Sequence, residues 1–316
     1  MNITEKTRKI RAFATELGFE SCGFSKARRL IEEESRLETW LKEGRHGTMS
    51  WMEQHFDKRL DPTLLVPGAK SVVTVVMSYH QPELFTELIA TTHKPQISKY
   101  ALGDDYHLVL KEKLFELYAY LDEINAGVQG RVFVDSAPVM DKAWARLSGV
   151  GWLGKNGNML NRTLGSWFFI GEMIVDTDFE YDQPVADHCG SCTRCIDACP
   201  TQAIYAPHQV DGSKCISYLT IELREAIPET YHQAMGPWMY GCDICQDVCP
   251  WNRKALPGSQ ERLFARTDLL EKNTDFWEEL DLQAFRELFR NSAVKRTKLS
   301  GLQRNFAIVK DNLRAG

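Results

Sequence analysis

Eight of the nine cysteines in this 316-residue chain fall between His188 and Trp251, and their spacing points to metal chemistry. Cys189, Cys192, Cys195 and Cys199, followed by Pro200, form the run C-x2-C-x2-C-x3-C-P, an iron-sulfur signature. In a second half Cys215 stands apart, and Cys242, Cys245, Cys249 and Pro250 give C-x2-C-x3-C-P. Three thiolates at this spacing can close around one cubane, while the cysteine before the proline points toward the other cluster. We therefore expect one cluster on Cys189, Cys192, Cys195 and Cys249 and a second on Cys199, Cys215, Cys242 and Cys245. Structural zinc would use paired C-x2-C ligands, four to an ion. Disulfides suit small secreted chains. The three-then-one pattern closed by proline occurs twice and favours iron-sulfur over both.

The remaining polar candidates are weaker. Asp135 ends a short β-type run, residues 131–135, where active-site side chains tend to sit. Phe133, Val134, Ala137 and Pro138 would raise its pKa if they exclude water, which suits a general acid. A strand-end carboxylate in solvent is the ordinary alternative. His107 is similar, since most lone helix histidines are packing or surface residues. Gly149, Gly151 and Gly154 match G-x-G-x-x-G by letter but follow a helix instead of a strand, which argues against dinucleotide binding. The same turn carries Lys155, Asn156 and Asn158, donors able to hold another polar group. Lys295, Arg296, Lys298 and Arg304 lie close together in a stretch poor in acids, as a phosphate-tracking surface requires; a solvated face is the plain alternative.

These residues need elements to hold them. A helix is expected from Thr4 through Ile10, Phe13, Ala14 and Leu17, stopping at Gly18, with a strand over residues 19–24. Residues 30–56 read as helical, interrupted by Gly44 and Gly47. SVVTVVMSY reads as a central strand and SWFFIGEMIV as another buried one. Between them a helix is expected from Asp104 or Asp105 through Leu108, Leu114, Leu117 and Leu121, and a second opens at Pro138 and runs through Met140, Trp144 and Leu147. The alternation implies an α/β or α+β core over residues 1–185, then the cluster module over 186–255 and a basic helical region over 256–316. Cys22 reads as a buried structural thiol.

Composition adds limits. The chain is 43% hydrophobic, with no apolar stretch long enough to span a bilayer, and its first residues carry charges where a signal peptide would be apolar. A reducing cytoplasm is the expected address. A net charge of −5 gives no global pull on nucleic acid, so a polyanion would have to meet a local basic patch.

Taken in order, KRLDP, YALGDDYH, VDSAPVMDKAWARLSGVGWLGKN, SWFFIGEM, the two cysteine halves, CISYLTIE and KRTKLSGLQRN resemble the epoxyqueuosine reductase family over nearly the whole chain. The resemblance implies an α+β fold: a cobalamin-binding α/β core, a nitroreductase-like sheet flanked by helices, joined to a ferredoxin-type module with two 4Fe-4S clusters. It implies reduction of epoxyqueuosine to queuosine at the tRNA wobble position, the last step of queuosine biosynthesis, by a cytoplasmic monomer fed by an external low-potential donor. Asp135 would be the proton donor. Arg59, Ser98, Asp135, Lys155, Asn156, Asn158, Ser217 and the backbone of Asp243 and Ile244 would contact cofactor, and Lys295, Arg296, Lys298 and Arg304 would contact tRNA. Some members have cysteine where Ser98 stands, so no thiol role is expected there. The D-x-H-x-x-G motif that supplies a cobalt-ligating histidine is incomplete, because Leu110 stands at its glycine. Some members carry a further helical-repeat domain, and none is expected here. A dehalogenase-like reductase of small molecules and a plain electron carrier are the competing classes.

Overall fold

The computed structural model describes residues 1–91 and 93–315. Its centre is a four-stranded sheet of β1 (Ser21–Lys26), β2 (Ser71–Ser78), β3 (Gly130–Phe133) and β4 (Phe168–Val175), in the order β1-β2-β4-β3. Every neighbouring pair is antiparallel, which makes the core α+β despite the alternation of strands and helices in sequence. The β-branched run that forms β2 is buried along its whole length, as a central strand should be.

Side-chain alternation gives the sheet two covered faces. Val73, Val75, Met77, Phe169 and Met173 pack on α1 (Ile3–Glu16) and α2 (Tyr106–Ile124). Val72, Phe133 and Ile174 pack on α3 (Asp141–Leu147) and on Leu37 of the helix Ile31–Lys42. Asp105 caps α2 by accepting from the His107 amide, and Leu110, Leu114, Leu117 and Leu121 face the core while Leu108 falls on the solvent side.

Three local expectations shift. Residues 30–56 are not one helix, because Gly44 and Gly47 take φ of +67° and +60° after the first helix ends at Lys42. The strand expected to reach Asp135 ends at Phe133, and α3 begins at Asp141 instead of Pro138. The turn holding Gly151 and Gly154 is a hairpin that pairs Trp152–Leu153 with Met159–Leu160, with no helix opening from it. A Cβ on Gly151 would meet the Leu160 carbonyl at 2.1 Å, so these glycines serve close backbone packing.

The C-terminal region packs into the same core as the sheet: Leu302, Phe306 and Val309 of α4 (Lys298–Ala315) join Ile10, Leu110 and Val75. This helix also satisfies carbonyls at the end of the helix Ile216–Ile221, groups that a helix C-terminus leaves unpaired. Asn305 Nδ2 donates to the carbonyls of Thr220 and Met239 at 2.8 and 2.9 Å. Arg304 donates to the carbonyls of Leu219 and Leu223 at 2.9 and 2.8 Å.

Gly23 sets how closely α3 approaches the sheet, since a Cβ there would lie 2.1 Å from the Ser148 carbonyl oxygen. Gly23→Ala should cost about 1–3 kcal/mol by overpacking, seen as a lower midpoint in chemical denaturation. An unchanged midpoint would mean the sheet and α3 slide apart without penalty.

Candidate active site

A solvent-open cleft of about 640 Å³ brings together residues far apart in sequence. Its lining includes Tyr106, His107 and Asp135 from the core, Cys215 and Ser217 from the cysteine module, and Lys295 and Arg296 from the C-terminal region. The cap of α2 delivers the first two, and the loop between β3 and α3 delivers Asp135.

Asp135 adopts φ +46°, the left-handed region that is costly for a residue with a Cβ. Its side chain is 53% exposed to the cleft, so the apolar neighbours expected to exclude water do not do so. Contacts fix it instead. Tyr106 donates its hydroxyl to Asp135 Oδ2, and His107 Nε2 lies 3.8 Å from the same oxygen. Tyr106 is clamped between rings, stacked on Phe169 at 4.2 Å and on His107 at 4.1 Å. Burial, then the negative charge of Asp135, pushes the Tyr106 phenol well above its usual pKa, so it stays a donor. His107 Nδ1 sits 2.7 Å from Asp105 Oδ1, and Lys295 Nζ is 3.2 Å from Asp105 Oδ2. Burial would raise the Asp105 carboxyl, but its bonds to His107 and Lys295 outweigh that and hold it below the usual range. At the rim, Arg296 pairs with Glu222 at 3.1 Å.

None of the nine cysteines is in a disulfide. Burial, then repulsion from Cys249, Cys189 and Cys192, pushes the Cys195 thiol up to about 11. Burial, then repulsion from Cys215, raises Cys242 and Cys245, and Cys199 bears on Cys215 and Cys245. Cys195 bears on Cys245 as well, so the two halves of the cysteine module lie against each other. Among the described residues no three His, Cys, Asp or Glu converge on a single-ion site. Cys22 is buried apart from them, its thiol pushed up to about 12 by desolvation.

Most expected cofactor contacts turn out to hold the cluster loops. Lys155 Nζ donates to the carbonyls of Gly190 and Cys192 at 2.6 and 3.0 Å, and Asn156 Nδ2 donates to the Cys245 carbonyl at 3.4 Å. Asn158 Nδ2 is 4.0 Å from Cys245 Sγ. Ile244 packs on the same apolar cluster as Cys242 and Cys215. Ser98 and Asp243 are fully buried and bonded to each other at 2.5 Å, with Lys99 Nζ 3.4 Å from Asp243 and 2.7 Å from Asp247. That leaves the Ser98 hydroxyl no reach into the cleft, while the backbone contact expected of Asp243 and Ile244 does not depend on these side chains. Lys298 is exposed, whereas the inward-turned Arg304 is engaged by backbone carbonyls and is not presented to a phosphate.

Two carboxyls were missed from sequence. Glu172 of β4 lies in register with Thr74 and Phe133 on the face under α3, fully buried, and neither of its oxygens meets a donor. It neighbours Asp141 of α3, whose Oδ1 is also buried without a donor. Desolvation, then mutual repulsion, raises Glu172 strongly; desolvation, then the charge of Asp135, pushes Asp141 up to about 7. The pair is relieved by holding a proton between its members. A glutamate amid SWFFIGEMIV was the available signal. Close by, Arg59 is buried, with its Nη2 on the Trp51 carbonyl at 2.8 Å and its Nε without a partner.

A family model described as "4Fe-4S double cluster binding domain" matches residues 188–252, and one described as "Epoxyqueuosine reductase QueG, DUF1730" matches residues 59–136. The epoxyqueuosine reductase of Cellulophaga algicola is 53% identical over 98% of this chain and 100% of its own length. This chain belongs to the epoxyqueuosine reductase family. Among solved structures, epoxyqueuosine reductase with a tRNA-Tyr epoxyqueuosine-modified stem loop superposes with a TM-score of 0.88 at 27% identity, over 99% of this chain and 83% of the other. The Bacillus subtilis reductase with its catalytic aspartate loop swung out of the active site gives 0.89 at 28% identity, with the same coverage. A catabolic reductive dehalogenase shares the fold at a TM-score of 0.50 and 14% identity, over 100% of this chain and 37% of the other. The α+β core with its double-cluster module is therefore the family's architecture, and the chain is an oxidoreductase.

The buried pair predicts a pH effect. Between the ordinary carboxyl range near pH 4 and neutrality, the folded pair keeps a proton that the unfolded chain has released. Stability therefore falls as pH rises through that window. Glu172→Gln should flatten this slope, raising the melting temperature relative to wild type at pH values above about 7 and little near about 4. Parallel melting curves for the two proteins across that range would contradict the assignment.

Proposed function

We propose that this chain reduces epoxyqueuosine to queuosine in the tRNA anticodon, passing electrons through two 4Fe-4S clusters to a cleft where Asp135 supplies a proton. One observation carries the reading: an acid held by Tyr106, the proposed cluster ligand Cys215 and the cations Lys295 and Arg296 line a single cleft. Electron delivery, proton delivery and phosphate contact meet there. The clusters take up electrons one at a time from an external low-potential donor, with Cys189, Cys192, Cys195 and Cys249 on one and Cys199, Cys215, Cys242 and Cys245 on the other. Functionally, residues 1–185 act as catalytic core, 186–255 as electron relay and 256–316 as tRNA contact. A tRNA substrate favours a cytoplasmic address for this reading; no described helix is long and apolar enough to cross a membrane.

Cobalamin fits this site on chemical grounds. The buried, unpartnered Arg59 Nε is a donor suited to an amide-rich cofactor with carbonyl acceptors, and Asp135 and Ser217 line the cleft of about 640 Å³ beside Cys215, while Arg59 lies outside that lining. When bound, it supplies a strongly reduced cobalt able to deliver electrons to the strained ring. Arg59, Ser217 and Asp135 would hold it, while Lys155, Asn156, Asn158, Asp243 and Ile244 keep the cluster loops in place.

The chain's own residues do the rest. Asp135 protonates the departing oxygen, so no free alkoxide forms. Tyr106 keeps that carboxyl aimed and stabilises its anion once the proton has left. The modified base must be splayed from the loop to reach Asp135. Lys295, Arg296 and Lys298 stand where the flanking phosphates would run. The strained Asp135 backbone suits a loop that moves between working and withdrawn positions, as in the Bacillus subtilis relative.

Asp135→Asn should leave both clusters bound yet lower turnover on an epoxyqueuosine stem loop by about 10²–10⁴-fold. Turnover near wild type would assign the acid elsewhere. Replacing Lys295 and Arg296 together by Ala should weaken stem-loop binding and reduce the salt slope by roughly one for each phosphate no longer neutralised. An identical slope would remove these residues from the tRNA surface.

A further inference from the structure

Turning an epoxide into an alkene breaks two C–O bonds, forms one C=C bond and releases the oxygen as water, at the cost of two electrons and two protons. Asp135 carries one proton at a time. After the first transfer it is a carboxylate, and the substrate that took the proton still fills the cleft and displaces water from it. A second proton must come from a neighbour, and the site contains one suited to the task. His107 Nε2 lies 3.8 Å from Asp135 Oδ2, beyond a hydrogen bond but within reach of a small rotation of either side chain or of the strained Asp135 backbone. The opposite ring nitrogen is anchored 2.7 Å from Asp105 Oδ1, while Lys295 holds the other Asp105 oxygen at 3.2 Å. An imidazole set between two carboxylates is placed to accept a proton on one side and pass it on at the other. Stacking on Tyr106 at 4.1 Å fixes the ring plane, and a side chain 25% exposed lets solvent reload it.

We infer that His107 is the positioning residue that reloads Asp135 between the two proton transfers, with Asp105 and Lys295 setting its orientation. This rests on Asp135 being the proton donor. Asp135 gives its proton to the departing oxygen, the His107 imidazolium passes its Nε2 proton to the Asp135 carboxylate, and Asp135 then gives the second proton as water leaves. The electrons come from the clusters, and once product has left, the Asp135 carboxylate and neutral His107 each regain a proton from solvent. The groups facing His107 are Asp105 and Tyr106 on its own turn, Asp135 from the β3–α3 loop, and Lys295 and Arg296 from the C-terminal turn, with Glu222 behind Arg296.

The test uses holoenzyme carrying both clusters and cobalamin, with an epoxyqueuosine stem loop and excess reductant, and measures kcat and KM from about pH 6 to about pH 8.5, the range over which imidazole titrates. In the wild type kcat should fall as imidazolium is lost. His107→Gln should keep KM, lower kcat roughly ten- to a hundredfold, and lose that pH limb. Added imidazole should restore turnover to His107→Gly. Asp105→Asn, which retains the amide-capping oxygen, should move the limb to lower pH. Wild-type kcat and pH profile in His107→Gln would overturn the relay, as would a loss of kcat that keeps the pH limb and resists imidazole, the signature of a purely structural role. If the His107 variants do not fold, an unmoved limb in Asp105→Asn overturns it. Asp135→Asn run in parallel separates the two claims: an active Asp135→Asn sinks the donor assignment itself, whereas an inactive one beside a wild-type-like His107→Gln sinks the relay alone.

Discussion

The buried Lys99 ammonium joins the catalytic half of the molecule to its cysteine half. It lies between Asp243 and Asp247, in the segment that carries Cys242, Cys245 and Cys249, and within 6 Å of the rings of Trp167, Trp238 and Phe85. A charge this buried persists only if it is paired on all sides. Its pairing therefore fixes the register between residues 96–99 and the second cysteine loop, which the parallel contact of Gln96–Ile97 with Trp238–Tyr240 extends. From the same segment the chain turns directly into Tyr100 and the cap of α2, which carry the cleft wall. One ion network thus ties the position of a cluster loop to that of the residues that aim Asp135.

The C-terminal region closes the arrangement from the other side. Arg304 and Asn305 spend their donors on carbonyls at the end of the helix that starts beside Cys215, and this holds the preceding turn, with Lys295 and Arg296, at the mouth of the cleft. The basic stretch therefore divides by function: its inward members build the joint, and its outward members form the charged rim. Both rim cations are already paired with carboxylates, Asp105 and Glu222, so under the proposed tRNA contact an incoming phosphate would compete with a ready partner. That competition would temper non-specific binding in a chain whose net charge is −5.

What could be read from sequence was what is encoded locally. The cysteine spacing, the capped helix after Asp105 and the β-branched strand each follow from short-range rules, and the structure has them in place. Contacts closed by tertiary pairing were not readable. Ser98 looked like a cofactor contact until its hydroxyl was placed on Asp243, and Arg304 looked like a phosphate contact until its guanidinium was placed on a helix end. The apolar neighbours of Asp135 would have made it a dry acid had they excluded water, but Phe133 and Val134 turn into the core and leave the carboxyl in the cleft. Glu172 is the reverse case. Its strand was recognised and its charge overlooked, although a carboxyl in the middle of a buried strand is the kind of local inconsistency that accompanies function.

The central claim is that cofactor, clusters and modified base share one cleft. The most direct test is the electron paramagnetic resonance spectrum of anaerobically reconstituted protein loaded with cobalamin, recorded with a stem loop bearing epoxyqueuosine and with the same loop bearing unmodified guanosine. The account predicts a cobalt(II) signal that changes with the epoxyqueuosine loop and not with the unmodified one. A cobalt signal indifferent to both loops, or cluster signals with no cobalamin retained, would contradict it.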